Sequence, residues 1–143
     1  MTNRATLEAL LARVLEGEGP DRELDGEIVA ALFGGEIVWK TARYTMDAYP
    51  VRRIQNSAYV GGYQNAGVLA YTESLDAAIR LVPEGRDWHV QSNPSIGACW
   101  ASISPAKHGL KLREWGSGMV KAATPARALI AACLKARMEA LGE

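Results

Sequence analysis

The chain has 143 residues, of which 48% are hydrophobic and 22% charged, with sixteen basic residues set against sixteen acidic ones. A chain of this length buries about two-thirds of its unfolded surface, and it is expected to fold as one domain, residues 1–143, without disulfide or metal staples. Zero net charge gives no global pull towards nucleic acid, so a non-specific electrostatic binder of it is not expected; no apolar run approaches the roughly 20 residues of a bilayer span, and the N-terminal stretch carries acids where a signal peptide needs an apolar core, so the sequence reads as a cytoplasmic protein.

From Thr6 to Glu16, Leu7, Leu10, Leu11, Val14 and Leu15 recur at the spacing of one helix face. Gly17-Glu18-Gly19-Pro20 stops that helix, because two glycines and a proline do not extend one cheaply. Asp21 follows as an N-cap, and Leu24, Ile28, Ala31 and Leu32 stripe a second helix over 21–33, ended by Gly34-Gly35. The two helices read as a hairpin with a short connection.

Residues 36–40 read as a strand. Residues 43–70 show no sustained period of 2 or 3.6 and read as an irregular segment rich in Tyr, Gly, Asn, Gln and Arg. Ser74 then caps a helix over 74–82, with Asp76 in its first turn and Leu75, Ala78, Ile79 and Val82 as its buried stripe. Strands are expected at 87–91, 97–103 and 110–115, each with one tryptophan, and the short turns between them favour an antiparallel meander. Thr124 caps the last helix, 124–140, with Pro125 at its first position; Ala126, Leu129, Ile130, Cys133, Leu134, Arg137 and Leu141 line one face. The sum is an α+β domain, sandwich-like in its layers, with a small, mainly antiparallel sheet and helices at both termini.

Three stretches taken in order resemble a known family: Gly19-Pro20-Asp21-Arg22-Glu23-Leu24-Asp25, then Tyr71-Thr72-Glu73-Ser74-Leu75-Asp76-Ala77-Ala78 with Val82-Pro83-Glu84-Gly85-Arg86-Asp87-Trp88, then Ala123-Thr124-Pro125-Ala126-Arg127-Ala128-Leu129. Together they resemble the phage ABA sandwich domain. The resemblance implies an α/β/α sandwich and a phage or prophage origin. It brings no established catalytic residue, cofactor or substrate. The same residues also serve as caps and stops, so the signature has a structural explanation beside the familial one.

Chemistry-bearing motifs are sparse. Cys99 and Cys133 lie 34 residues apart without a Cys-x-x-Cys pair, and His89 and His108 are solitary, so no metal site is expected. Gly61-Gly62 lacks the rest of a phosphate loop, and no nucleophile elbow, metalloprotease or kinase set is present; the chain reads as non-enzymatic and without cofactor. What stands out is residues 43–65. All five tyrosines fall between Tyr44 and Tyr71, with Arg43 just before the first and Arg52 and Arg53 among them. Tyrosine gives large amphipathic contact area and arginine a charged planar fork, both enriched in binding hot spots. Arg43, Tyr44, Arg52, Arg53, Tyr59 and Tyr63 are therefore the candidate ligand- or partner-binding residues. The alternative is that the tyrosines merely cover the sheet and the arginines are solvated.

By quarters the charge runs −4, +2, −1 and +3, so the neutral sum hides a basic second quarter that coincides with the tyrosines. The leading expectation is a phage accessory protein that binds a host macromolecule or a small anionic signalling molecule, countering a host defence system. If the ligand is an anionic nucleotide, Arg43, Arg52, Arg53 and the helix N-termini near Ser74 or Thr124 are its expected donors. The alternative is a structural or assembly protein, a homo-oligomer joined through its acidic N-terminal and basic C-terminal ends.

Overall fold

The computed structural model describes residues 3–56, 58, 60–93, 95–103 and 119–141. Among them are four α-helices and two three-stranded antiparallel sheets, an α+β fold. The helices are α1 (Arg4–Glu16), α2 (Arg22–Phe33), α3 (Leu75–Ile79) and α4 (Pro125–Ala140). The first sheet runs β1 (Glu36–Thr41), β2 (Ala48–Gln55), β3 (Tyr63–Gly67), and the second β4 (Trp88–Asn93), β5 (Ala98–Ile103), β6 (Val120–Ala122), each in sequence order. The expected strand at 110–115 lies outside the described residues, as do Tyr59 and His108; the third strand of the second sheet is β6, which leads directly into α4.

The caps form as expected. The side chains of Asp21, Ser74 and Thr124 accept from the amides of Leu24, Ala77 and Arg127, and Asn3 does the same for Thr6 at the start of α1. Leu7, Leu10 and Val14 of α1 are buried beside Leu24, Ile28 and Val29 of α2. Leu15 and Leu141, expected on core faces, are 39% and 50% exposed. The expected helix over 74–82 is α-helical only through Ile79. Leu81 and Val82 donate three residues back, to Ala78 and Ile79, so the last turn tightens ahead of Pro83 and swings Leu81, not Val82, fully inward.

The middle helix of the core is α4. Every residue from Ala126 to Leu134 is buried, which is more than one face, so the helix must be covered all round. It packs on β4, β5 and β6 and also against α1 and α3, while α2 packs on β1 and β2; the helices thus stand between the two sheets. Close approach of α1 to α4 is secured by Arg127, only 2% exposed, whose guanidinium donates to the carbonyls of Arg13, Val14 and Gly19. Two of these, the Val14 and Gly19 carbonyls, have no other described donor at the end of α1 and in its following loop, while the Arg13 carbonyl also accepts from the Gly17 amide. Gly17 lies against this guanidinium: a Cβ there would stand 2.5 Å from Nη1.

A second buried polar tie fixes the start of α2. The Asp25 carboxylate, fully buried, accepts from Arg22 Nη1 at 2.9 Å and from the amide of Thr72 at 2.8 Å, and the Thr72 hydroxyl accepts from the amide of Asp21 at 2.7 Å. Burial pushes the Asp25 carboxyl above its ordinary value, opposed by the Thr72 hydrogen bonds and by Arg22.

The described residues of 43–70 are not irregular throughout, contrary to the sequence expectation. They contain β2 and β3, and β2 is the central strand of its sheet. Pro50 and the adjacent arginines obscure the alternation. Pro50 is tolerated because it lies beyond the last rung with β3, where Val51 pairs with Gly67 and the strand has only one neighbour.

Candidate functional site on the open face of the first sheet

Strand register sorts the side chains of the first sheet into two faces. Opposite residues share a face, so Ile37, Arg52 and Ala66 lie on one side, and Glu36, Arg53 and Asn65 on the other. The first side is the one α2 covers. A Cβ on Gly26 of α2 would stand 3.2 Å from Ile37, and Arg52 donates to the carbonyls of Phe33 and Gly34 at 3.2 and 3.1 Å. Arg52 thus closes the C-terminal end of α2, a structural task that employs its charge where the helix dipole is negative.

The second side carries Glu36, Val38 and Lys40 from β1, Tyr49, Val51, Arg53 and Gln55 from β2, and Tyr63 and Asn65 from β3. A cleft of about 460 Å³ opens on it, lined by Val38, Lys40, Arg53, Gly61, Tyr63 and Asn65. The Arg53 guanidinium lies over the Tyr63 ring, 3.9 Å from its centre. This is close cation–π contact, which restrains the guanidinium at the cleft that Arg53 lines. Lys40, Tyr63 and Asn65 are exposed and Arg53 is half-buried. Among the described residues neither Lys40 nor Arg53 has a salt-bridge partner. Glu36 stands opposite Arg53 in register without forming an ion pair with it. Two cations and one carboxylate leave the face net positive.

The rim of the cleft is built by the connection from β2 to β3. Gly61 and Gly62 both have positive φ, 84° and 78°, and the Gly62 carbonyl accepts from the amide of Asn56 at 2.7 Å. Only glycine takes two such conformations in succession without strain, and Gly61 lines the cleft with backbone alone.

Of the expected binding residues, the structure brings together Arg53 and Tyr63. Arg52 is on the covered face. Arg43 and Tyr44 sit at the tip of the β1–β2 hairpin, past the Thr41–Ala48 rung and at the opposite end from Glu36 and Arg53. There Arg43 lies 6.0 Å from the Tyr44 ring centre, and Tyr44 is 90% exposed. The helix N-termini proposed as anion donors are occupied by their own Ser74 and Thr124 caps. Lys40 and Asn65 were not among the expected residues. The alternation Glu36, Val38, Lys40 carries a signal for Lys40, but only the register with β2 shows that it shares a face with Arg53.

The charges invoked for an oligomer are partly employed within the molecule. Arg13 pairs with Glu23 at 3.5 Å and with Glu27 at 2.5 Å, Arg127 is buried, and Arg137 donates to the Leu81 carbonyl at 3.3 Å. Among the described residues no cluster of His, Cys, Asp or Glu is arranged to hold a metal, and no helix is long and apolar enough to cross a membrane. Cys99 and Cys133 are both buried and unpaired.

An α+β domain with one sheet face packed and the other open, charged and aromatic, is the class that fold and site define. Compared with protein families, curated proteins and solved structures, the chain finds no match.

Proposed function

We propose that this chain is a non-enzymatic binding protein that captures an anionic ligand on the open face of its first sheet. In the phage or prophage setting suggested by the sequence resemblance, the ligand is a host molecule, and its capture counters a host defence. The observation that carries this reading is the Arg53 guanidinium, 3.9 Å from the Tyr63 ring centre, in a cleft of about 460 Å³ that Lys40 also lines, with neither cation neutralised by a salt bridge among the described residues. A preoriented guanidinium loses little freedom when an anion arrives, and anion contacts to charged donors are the stronger kind of hydrogen bond. The cleft volume falls within the roughly 300–1,000 Å³ of small-ligand sites.

The test is an NMR titration of the ¹⁵N-labelled protein with inorganic tripolyphosphate and, separately, with a glutamate-rich hexapeptide. Amide shifts are expected at Lys40, Arg53, Tyr63 and Asn65 with at least one of them, abolished by the double variant Lys40→Ala/Arg53→Ala. Absence of shifts on this face with both probes overturns the proposal.

A further inference from the structure

Resting on that reading, we infer that the ligand of the open face is short single-stranded nucleic acid. The face holds two cation–ring stations. At one, Lys40 and Tyr49 are direct cross-strand partners; at the other, Arg53 lies on Tyr63. Tyr49 and Tyr63 are 41% and 46% exposed, an unusual openness for two rings on one sheet face. Between the stations Val38 pairs with Val51, giving a low apolar floor. Beside the second station stand two amides, Gln55 opposite Tyr63 and Asn65 opposite Arg53.

Each part has a use in one ligand. Every nucleobase has a π-face that stacks on an exposed ring such as Tyr49 or on a guanidinium supported by a ring, as Arg53 is by Tyr63; every phosphodiester carries one negative charge for a lysine or arginine; and amide side chains hydrogen-bond to base edges. A glutamate-rich peptide would employ the cations and the amides and leave the rings without a stacking partner. A duplex keeps its bases stacked on one another, and among the described residues this face presents no α-helix to enter a groove. A mononucleotide has one base and stacks at only one station, because Tyr49 and Arg53 are four residues apart along β2, about 13 Å at roughly 3.3 Å per residue.

The inference agrees with the neutral total charge. With only Lys40 and Arg53 facing phosphates, the affinity is local and its salt dependence shallow. Two phosphate contacts on a single strand give a slope of log K against log salt of about −1.4, at roughly 0.7 per contact.

Fluorescence anisotropy of labelled (dT)8 and (rU)8 tests this, with AMP, tripolyphosphate and the glutamate-rich hexapeptide as competitors. The expected results are binding of an octamer with the shallow slope, weak competition by AMP, and at least a tenfold loss for Tyr63→Leu or Tyr49→Leu. Tyr63→Phe, which keeps the ring, restores binding; Glu36→Gln, which removes the face's one acid, tightens it several-fold; Lys135→Ala, on exposed α4 surface, changes nothing. If tripolyphosphate shifts the face by NMR but the octamers bind no better and Tyr63→Leu is without effect, the anion reading stands and the nucleic-acid inference falls. If the hexapeptide competes better than an octamer, the partner is an acidic protein segment and the inference falls. If AMP matches the octamers, or a duplex binds as well with a steep slope, the two-station geometry is refuted. If no anion touches the face, both readings fail together.

Discussion

Replacing Arg127 with methionine keeps most of the buried stem and removes the guanidinium. Three carbonyls receive its hydrogen bonds, those of Arg13 at 3.3 Å, Val14 at 3.0 Å and Gly19 at 3.0 Å from Nε. Arg13 retains a second donor in the Gly17 amide. Val14, which is buried, and Gly19, which is exposed and takes water instead, then lose their described donors. Leaving the buried Val14 acceptor unpaired costs about 1–3 kcal/mol, lost packing and charged hydrogen bonds add to it, and removing the buried charge gives part of this back because the guanidinium no longer has to be desolvated. The net expectation is a loss of about 2 kcal/mol, or about 7 °C in Tm for a domain of this size. Urea unfolding followed by far-ultraviolet circular dichroism measures it. A loss under about 1 kcal/mol refutes the reasoning, since the burial cost of the charge would then cancel its bonds. A double-mutant cycle isolates the contact with Gly17, where an added Cβ would stand 2.5 Å from Nη1. Gly17→Ala should be clearly destabilising alone and cost at least 1 kcal/mol less when Arg127 is alanine; additivity would show that position 17 is restricted by something else.

Three further outcomes follow from the core. Asp25→Asn tests the buried carboxyl. Because burial raises its pKa above 3.8, the folded state binds that proton more tightly than the unfolded state, so stability from this group falls as pH rises from 3.8 through the folded value. Thermal melts across pH should show Asp25→Asn gaining on the natural protein over that window and remaining ahead at neutral pH; a variant that falls behind would mean Arg22 and Thr72 outweigh burial. Burial pushes the Cys133 thiol up to about 12, so in a Cys99→Ser variant it should stay unreactive to Ellman's reagent at pH 8 until the protein is denatured. Rapid labelling of the native variant would contradict the packing of α4. Leu129→Ala, at a fully buried position, should cost about 3–4 kcal/mol in urea unfolding, and less than 2 would show that α4 collapses onto the gap.

The helices and most of their boundaries were legible because their signals are local. Asp21, Ser74 and Thr124 cap within three residues of themselves, and the glycines and prolines around 17–20 act on the adjoining backbone. The first sheet was only partly legible. Strand β1 was readable as a short apolar run, but β2 begins Ala48-Tyr49-Pro50, which looks like the end of a strand; what makes it central is pairing with β1 on one side and β3 on the other. The candidate site suffered accordingly. Arg52 and Arg53 are neighbours in sequence and equal in chemistry, yet one is tied to the end of α2 and the other faces the cleft.

By itself the sequence determined the α+β class, the caps and stops, and the concentration of tyrosines and arginines in its second quarter, since each of these is a matter of composition or of contacts within a turn. Tertiary structure alone decided that α4 is buried all round, that Arg127 and Arg52 serve helix ends, and that Lys40, Arg53, Tyr63 and Asn65 meet on one open face. The reason is the pleat. Adjacent strand residues point to opposite sides, so register, fixed by partners many residues away, determines which of two neighbouring arginines faces solvent.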